Sequence, residues 1–328
     1  MILAVDSGTT RTRAWVLADG GVAAGASAVA GARDLARNRD KQWLLGRVRL
    51  VAEETLAAAS LSWEEVEAVV GFGMITSELG LVELPHLIAP VGAAELAAAM
   101  YEPSGAAALP ARLLLVPGVR NVSESIEHAD FMRGEETEVI GLLALDRIKP
   151  PLLYVSIGSH PKFVWVDAGG RIAWSLTTLS GELIWALQQE TILAELIDPS
   201  AELVDFEAVD EGARVAETVG LSRALFAARV LNRTGGASRE TCSAFVHGAV
   251  ARADLRALEA PLPVEAPPER IVLSGRGPLL DAYRHLLERS LGSEPEVFDQ
   301  PLGAIGAGVI YESRAALERS EEGRKLRA

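Results

Sequence analysis

The 328-residue chain reads as an α/β protein of two domains whose beginnings match. Three observations predict this. The length exceeds what one hydrophobic core of typical size organises, since domains run to about 100–200 residues. Apolar runs with strand character alternate with stretches of helical spacing. Finally, LAVDSGTTRTRAWVLADGG near the start has a partner in LYVSIGSHPKFVWVDAGG from Leu153. In each, an apolar strand runs into a glycine flanked by hydroxyl residues (Gly8, Gly158), a tryptophan follows seven residues later (Trp15, Trp165), and an Asp/Gly turn closes the segment.

The elements follow in order. Each half begins strand, tight turn, strand, hairpin, strand, because Asp19-Gly20-Gly21 and Asp167 to Gly170 lie between apolar runs, a strong hairpin signal. Asp40 to Ser60 has helical spacing through Trp43, Leu44, Val48, Leu50 and Val51. EAVVGFG (67–73) is a strand, Gly92 to Met100 a helix and RLLLVPG (112–118) a strand. In FMRGEETEVIG and beyond, Val139, Ile140, Leu142, Leu143 and Leu145 make one apolar face of a crossover helix, with Pro150 and Pro151 as a break. Downstream, Gly181 to Leu196 and much of Asp210 to Glu259 are helical, RIVLS (270–274) is a strand and Leu279 to Leu291 a helix. Ala304 to Leu317 is the last helix, followed by a frayed, charged tail from Glu318. The Pro-rich stretch from Glu259 to Glu269 is a loop. Domain boundaries are expected at 1–148 and 149–328, with the last helix packing back on the first domain.

Composition excludes several classes. With 49% hydrophobic residues a folded protein is expected. Net charge is −14, from 31 Lys and Arg against 45 Asp and Glu, which argues against nucleic acid or an anionic membrane as partner. The opening MILAVD lacks a basic n-region and no apolar run nears the roughly 18 residues that span a bilayer, so a soluble, cytoplasmic protein is expected. Cys242 is the lone cysteine; it reads as a small buried hydrophobe. His86, His128, His247 and His285 show no ligand spacing.

The turns have chemistry of their own. A tight turn after a strand, rich in N–H and hydroxyl donors, suits phosphate oxygens. Asp6-Ser7-Gly8-Thr9-Thr10 adds Arg11 and Arg13 for charge, and Asp6 as a carboxylate suited to Mg²⁺. Ile157-Gly158-Ser159-His160 adds Lys162. A third cluster, Ser274-Gly275-Arg276-Gly277, follows a strand and precedes a helix, and its small residues would let an adenine ring approach the backbone. A fourth, Gly303 to Gly308, fits a helix packed closely on a neighbour as well as it fits a nucleotide role. Trp15 and Trp165 read as core rather than as stacking platforms.

The order of these parts resembles the two-domain sugar kinase, Hsp70 and actin superfamily. MRGEET (132–137), Gly-Ser-His-x-Lys (158–162), Ser-Gly-Glu-Leu (180–183), Gly-Met-x-x-Ser (73–77) and Pro-Gly-Val (117–119) resemble the 2-dehydro-3-deoxygalactonokinase family over nearly the whole chain. The pattern departs at Ser159 and Phe163, where the family more often has Thr and Trp, and at Leu81, where an aromatic is usual. The resemblance implies a two-domain actin-like ATPase (ribonuclease H-like) fold with an interdomain cleft that closes on its ligands. It also implies ATP- and Mg²⁺-dependent phosphorylation of 2-dehydro-3-deoxy-D-galactonate at its 6-hydroxyl. A kinase of another sugar or sugar acid, and a non-catalytic ATP-binding regulator, are the alternatives.

In related sugar kinases a carboxylate at the start of the crossover helix takes the proton of the attacking hydroxyl. The matching place here is Glu135 or Glu136. Consecutive helical residues point about 100° apart, so one faces the ligands; Glu135 is favoured as base, with Glu136 as orienting neighbour or Mg²⁺ partner. Arg133, Arg120 and Arg33 are candidates for the substrate carboxylate, which suits a planar bidentate donor, and Ser77 for the sugar. His160 and Lys162 would meet carboxylate or phosphates, and the nucleotide set is completed by Asp6, Gly8, Thr9, Thr10, Arg13, Gly158, Ser159, Ser274, Gly275, Arg276 and Gly277. Partners are a sugar acid and ATP, with homodimerisation left open.

Overall fold

The computed structural model describes residues 1–8, 11–18, 21–28, 41–104, 109–198, 202, 204–259, 270–292 and 294–325. By internal contacts the chain divides into two compact units, Met1–Pro151 with Val166–Ser175 and Gln300–Ala328, and Leu152–Trp165 with Leu176–Asp299.

In the first unit β1 (Ile2–Ser7) is buried at every position. Covered on both faces, it reads as a continuous apolar run rather than an alternating one. β2 (Thr12–Ala18) pairs antiparallel with β1, from Ile2↔Leu17 to Ser7↔Thr12, and β3 (Gly21–Ala28) extends the hairpin. β4 (Ala68–Gly73) lies parallel on the other side of β1, Ser7 opposite Gly73, and β6 (Arg112–Leu115) lies parallel to β4. The sheet order is β3-β2-β1-β4-β6. Helix α1 (Lys41–Ala58) buries Leu44, Val48, Val51, Ala52 and Leu56 in one core with Leu3, Val5, Ala14, Val16 and Val69. Three short strands, β5 (Leu87–Ile88), β7 (Val119–Arg120) and β8 (Phe131–Met132), form a separate small sheet, and α2 is Ala93–Ala99.

Helix α3 (Glu135–Leu143) follows β8 directly and crosses the last helix, α9 (Leu302–Lys325), at backbone contact. A Cβ on Gly306 would stand 1.8 Å from Thr137 O, and one on Gly141 would stand 1.9 Å from Leu302 O, so only glycine fits at either place.

The sheet of the second half repeats the first: β9 (Leu152–Ile157), β10 (Lys162–Val166), β11 (Ile172–Thr177), β12 (Ile271–Gly275) and β13 (Glu296–Phe298) in the order β11-β10-β9-β12-β13. β12 is parallel to both β9 and β13. The hairpin between β10 and β11 turns at Gly170, at φ +74°, with Gly170 N–H donating to Asp167 O at 2.9 Å. Helices α4 (Ser180–Glu190), α5 (Phe206–Val219), α6 (Leu221–Gly235), α7 (Arg239–Ala257) and α8 (Pro278–Leu291) belong to the second unit. Buried α7 packs on α5 through Gly248 and Gly212.

Several sequence expectations shift. The helical stretch after Asp210 starts at Phe206 and is three helices, broken by Gly220 at φ +83° and Gly236 at φ +68°. The charged tail from Glu318 is not frayed there: α9 runs on to Lys325, because Glu318 accepts from Arg112 Nη2 and Nη1 at 2.8 and 3.0 Å and from Arg314. The pair holds the Glu318 carboxyl down at about 2. β13 and the small sheet carry too few residues to show a period. The Asp19-Gly20 turn, Asp40 and most of the Pro-rich loop lie outside the described residues.

Candidate active site

Strand β1 delivers Asp6 to the end of the first sheet, buried except for 9% of its surface. Arg13, directly opposite in the β1–β2 register, donates from Nη2 to Asp6 Oδ2 at 2.7 Å. Burial raises the Asp6 carboxyl above its ordinary value; Arg13 counters this and nearby Glu135 adds to it. Ser7 is 1% exposed, and its hydroxyl has no hydrogen-bond partner among the described residues. Gly8 N–H then closes the turn on Arg11 O at 2.8 Å. Thr9 and Thr10 lie outside the described residues, as does Arg33.

Two glycines bring helix α3 against this strand end. Gly73, at φ +79°, has no room for a side chain, since a Cβ would sit 2.9 Å from both Asp6 Oδ1 and Ser7 O. Gly134, at φ +113°, packs on Gly73, whose Cα is 3.4 Å from the place of its missing Cβ. A left-handed glycine is the usual way to redirect a chain without strain, and here it starts α3 beside Asp6.

The first two residues of α3 have opposite surroundings. Glu136 is fully buried, and both its oxygens accept from Gly134 N–H, at 3.0 and 2.7 Å, with Thr137 Oγ1 donating to Oε1 at 2.9 Å. Burial, with the charge of Glu135 second, pushes its carboxyl up to about 8 against these donors. Glu135 is half-buried and close enough to Asp6 for its charge to act there.

Arg133 is half-buried and engaged on its own unit, donating to Thr76 Oγ1 at 3.1 Å and Leu84 O at 2.6 Å. It braces the segment after β4. Ser77 is buried and donates to Met74 O at 2.8 Å. Arg120 is exposed in the small sheet, in register with Ile88 on one side and Phe131 on the other, 56% and 63% exposed. Paired residues share a face, so the guanidinium stands in an apolar row.

In the second unit the turn after β9 is held by α4. Glu182 N–H donates to Ser159 O at 2.9 Å, and a Cβ on Gly181 would stand 2.1 Å from Gly158 O. Gly158 itself has open space where a Cβ would project. His160 Nε2 is 3.5 Å from Glu182 Oε2. Lys162 is 5% exposed and donates to Thr177 Oγ1. At the third cluster, Ser274 Oγ is 2.5 Å from Tyr154 OH, Gly275 at φ +128° presses on Ile157 O, and Gly277 at φ +86° opens α8. Arg276 is exposed and pairs with Asp299 at 2.7 Å.

The remaining residues have structural surroundings. Cys242 is buried with Sγ 3.5 Å from Ala228 O; His247 is bonded at 2.8 Å to Ser243 O, and His285 at 3.0 Å to Asp210. Trp165 is core, whereas Trp15 is half-buried under Arg13. Sequence reasoning missed the partners: Thr177 for Lys162, Thr76 for Arg133, and Gly73 and Gly134 as the spacers that admit α3 to the site. The positive φ of the two glycines has no signal beyond the residue type.

Two sheets of identical strand order, each with parallel strands on one side of its first strand and the next two strands of the chain on the other, define the actin-like, ribonuclease H-like fold class, and a xylulose kinase structure from Lactobacillus acidophilus superposes on this chain with a TM-score of 0.55 at 9% identity. Within that class, the chain belongs to the 2-keto-3-deoxy-galactonokinase family, whose model matches residues 6–309. It is 30% identical to the 2-dehydro-3-deoxygalactonokinase of Escherichia coli over 62% of this chain and 65% of that one, slightly under two thirds of the relative's length. A Rhizobium meliloti protein assigned the same name is 27% identical over 95% of this chain and 96% of its own. A crystal structure from Sinorhizobium meliloti, assigned to the same family, superposes with a TM-score of 0.76 at 22% identity, covering 97% of this chain and 99% of that one. No helix among the described residues is long and apolar enough to cross a membrane.

Proposed function

We propose that the protein is a sugar-acid kinase that transfers the γ-phosphoryl group of ATP to the 6-hydroxyl of 2-dehydro-3-deoxy-D-galactonate. The observation that carries this reading is the contact of Gly134 with Gly73, which sets the acidic start of α3 beside buried Asp6. Phosphoryl transfer needs positioning, charge neutralisation and one acceptor for the hydroxyl proton. Glu135 is the acceptor: half-buried, it can meet a hydroxyl, while Glu136 has both oxygens engaged and no exposed surface. As Glu135 takes the proton, the sugar oxygen forms its bond to the γ-phosphorus and the bond from that phosphorus to the β-bridging oxygen breaks, releasing ADP.

Phosphate oxygens suit the donors at the two turns. The Ser7 hydroxyl, without a hydrogen-bond partner among the described residues, suits a phosphate oxygen in the first unit, and the open side of Gly158 suits one in the second. Mg²⁺ in these reactions is held by one or two carboxylates together with phosphate oxygens. Asp6 offers that donor type, with Glu135 nearby; Glu136 is spent on backbone and Thr137. Bound there, the ion would neutralise phosphate charge. Arg120 is assigned to the substrate carboxylate. Arg133 supports the Met74 to Leu84 segment on which the sugar side depends.

A coupled ADP-release assay with a panel of keto-deoxy and aldonic acids tests the reading. Turnover highest on 2-dehydro-3-deoxygalactonate is expected. A different preferred acid would move the substrate assignment, and ATP binding without acid-dependent turnover would leave a regulator.

A further inference from the structure

We propose that Asp254 is a positioning residue for the nucleotide: one buried carboxylate holds both glycine loops of the second unit in a single arrangement. The inference rests on the kinase reading above. Asp254 lies on α7, 7% exposed, and accepts three hydroxyl hydrogen bonds. Ser180 Oγ donates to Oδ1 at 2.7 Å, Thr178 Oγ1 to Oδ2 at 2.7 Å, and Tyr283 OH to Oδ2.

The donors come from two places. Thr178 and Ser180 flank the start of α4, the segment that grips the turn after β9: Thr178 N–H donates to Pro161 O at 2.9 Å and Glu182 N–H to Ser159 O at 2.9 Å. Gly181, between them, abuts Gly158. Tyr283 belongs to α8, which starts at the end of the Ser274 to Gly277 loop, and its ring meets Phe163 edge-on, 5.9 Å between centroids. Phe163 neighbours Lys162. Asp254 therefore joins the phosphate-type turn to the helix of the third glycine cluster. A buried carboxylate costs free energy that apolar side chains of like volume would avoid; a fixed spacing between two loops is what it supplies instead.

The test uses the full chain, with KM for ATP and for the sugar acid and calorimetric affinity for ADP. Asp254→Asn should raise KM for ATP by about tenfold or more, the factor carried by one hydrogen bond to a charged group, with KM for the sugar acid within about twofold. A purely structural role would lower the folded fraction and leave both KM values unmoved. Ser180→Ala and Tyr283→Phe each remove one donor and keep the carboxylate; each should weaken ADP binding by a smaller factor, and they carry the test alone if Asp254→Asn does not fold. Folded variants with wild-type ADP affinity would overturn the proposal. If the wild-type protein binds no adenine nucleotide, the kinase reading itself fails and this inference goes with it.

Discussion

The backbone N–H of Gly134 donates to both carboxylate oxygens of Glu136, at 3.0 and 2.7 Å, so the second glutamate of MRGEET turns back onto the helix start while the first is left beside Asp6. The two acids differ in accessible surface and in partners, which separates their expected effects.

Glu135→Gln should lower kcat by roughly 10²–10⁴-fold with ATP affinity little changed, the range for losing a general base. Single-turnover kinetics with saturating ATP would measure it. Near-normal turnover would remove the proton-acceptor role from Glu135.

Glu136 should make stability fall as pH rises. Its folded-state value of about 8 lies above the ordinary 4.5, so between these values the unfolded chain releases a proton that the folded chain keeps. The contribution is fully present below the unfolded value and lost as pH rises through the folded one. Thermal melts of wild type and Glu136→Gln from pH 5 to 8 should show the variant gaining on the wild type with rising pH. A constant difference would refute the assignment.

Gly73→Ala places a Cβ at φ +79° and 2.9 Å from Asp6 Oδ1. A loss of about 1–3 kcal/mol is expected for such a conformation, together with a larger loss of kcat than Gly46→Ala on α1, where a Cβ meets open space. Equal, small effects of both substitutions on kcat would count against the Gly73–Asp6 contact as a determinant of the site.

Arg120→Leu should raise KM for the sugar acid by about 10- to 100-fold, as expected for a lost charge-assisted carboxylate contact, and leave KM for ATP alone. Unchanged KM for the acid would release Arg120 from the substrate role.

The repeated starts, the long helices and the longer strands were legible because each has a period or a turn that acts within a few residues. Trp15 and Trp165, each seven residues after a turn glycine, marked the duplication directly. The acidic pair at Glu135 and Glu136 was legible as a helix start, but which residue is buried depends on Gly134 at φ +113°, a property of the folded backbone. Arg133 looked like a substrate ligand from its neighbours, whereas Thr76 and Leu84 O, far away in sequence, engage it. Glu318 looked like tail until Arg112, on a distant strand, fixed it in the last helix. Long-range partners of charged residues were the common gap.

The crossing of α3 and α9 at Gly141 and Gly306 has a bearing on how the protein comes into being. The helix that begins with MRGEET seats its backbone against a segment translated long after it, so the first unit waits for the end of the second before its scaffold is complete. Pairing across such sequence separation is slow to form, and a fragment cut near Pro151 would carry β1 and the acidic pair without the helix that covers them. The first unit is continuous in space but not as a stretch of chain, and it cannot be excised as a module.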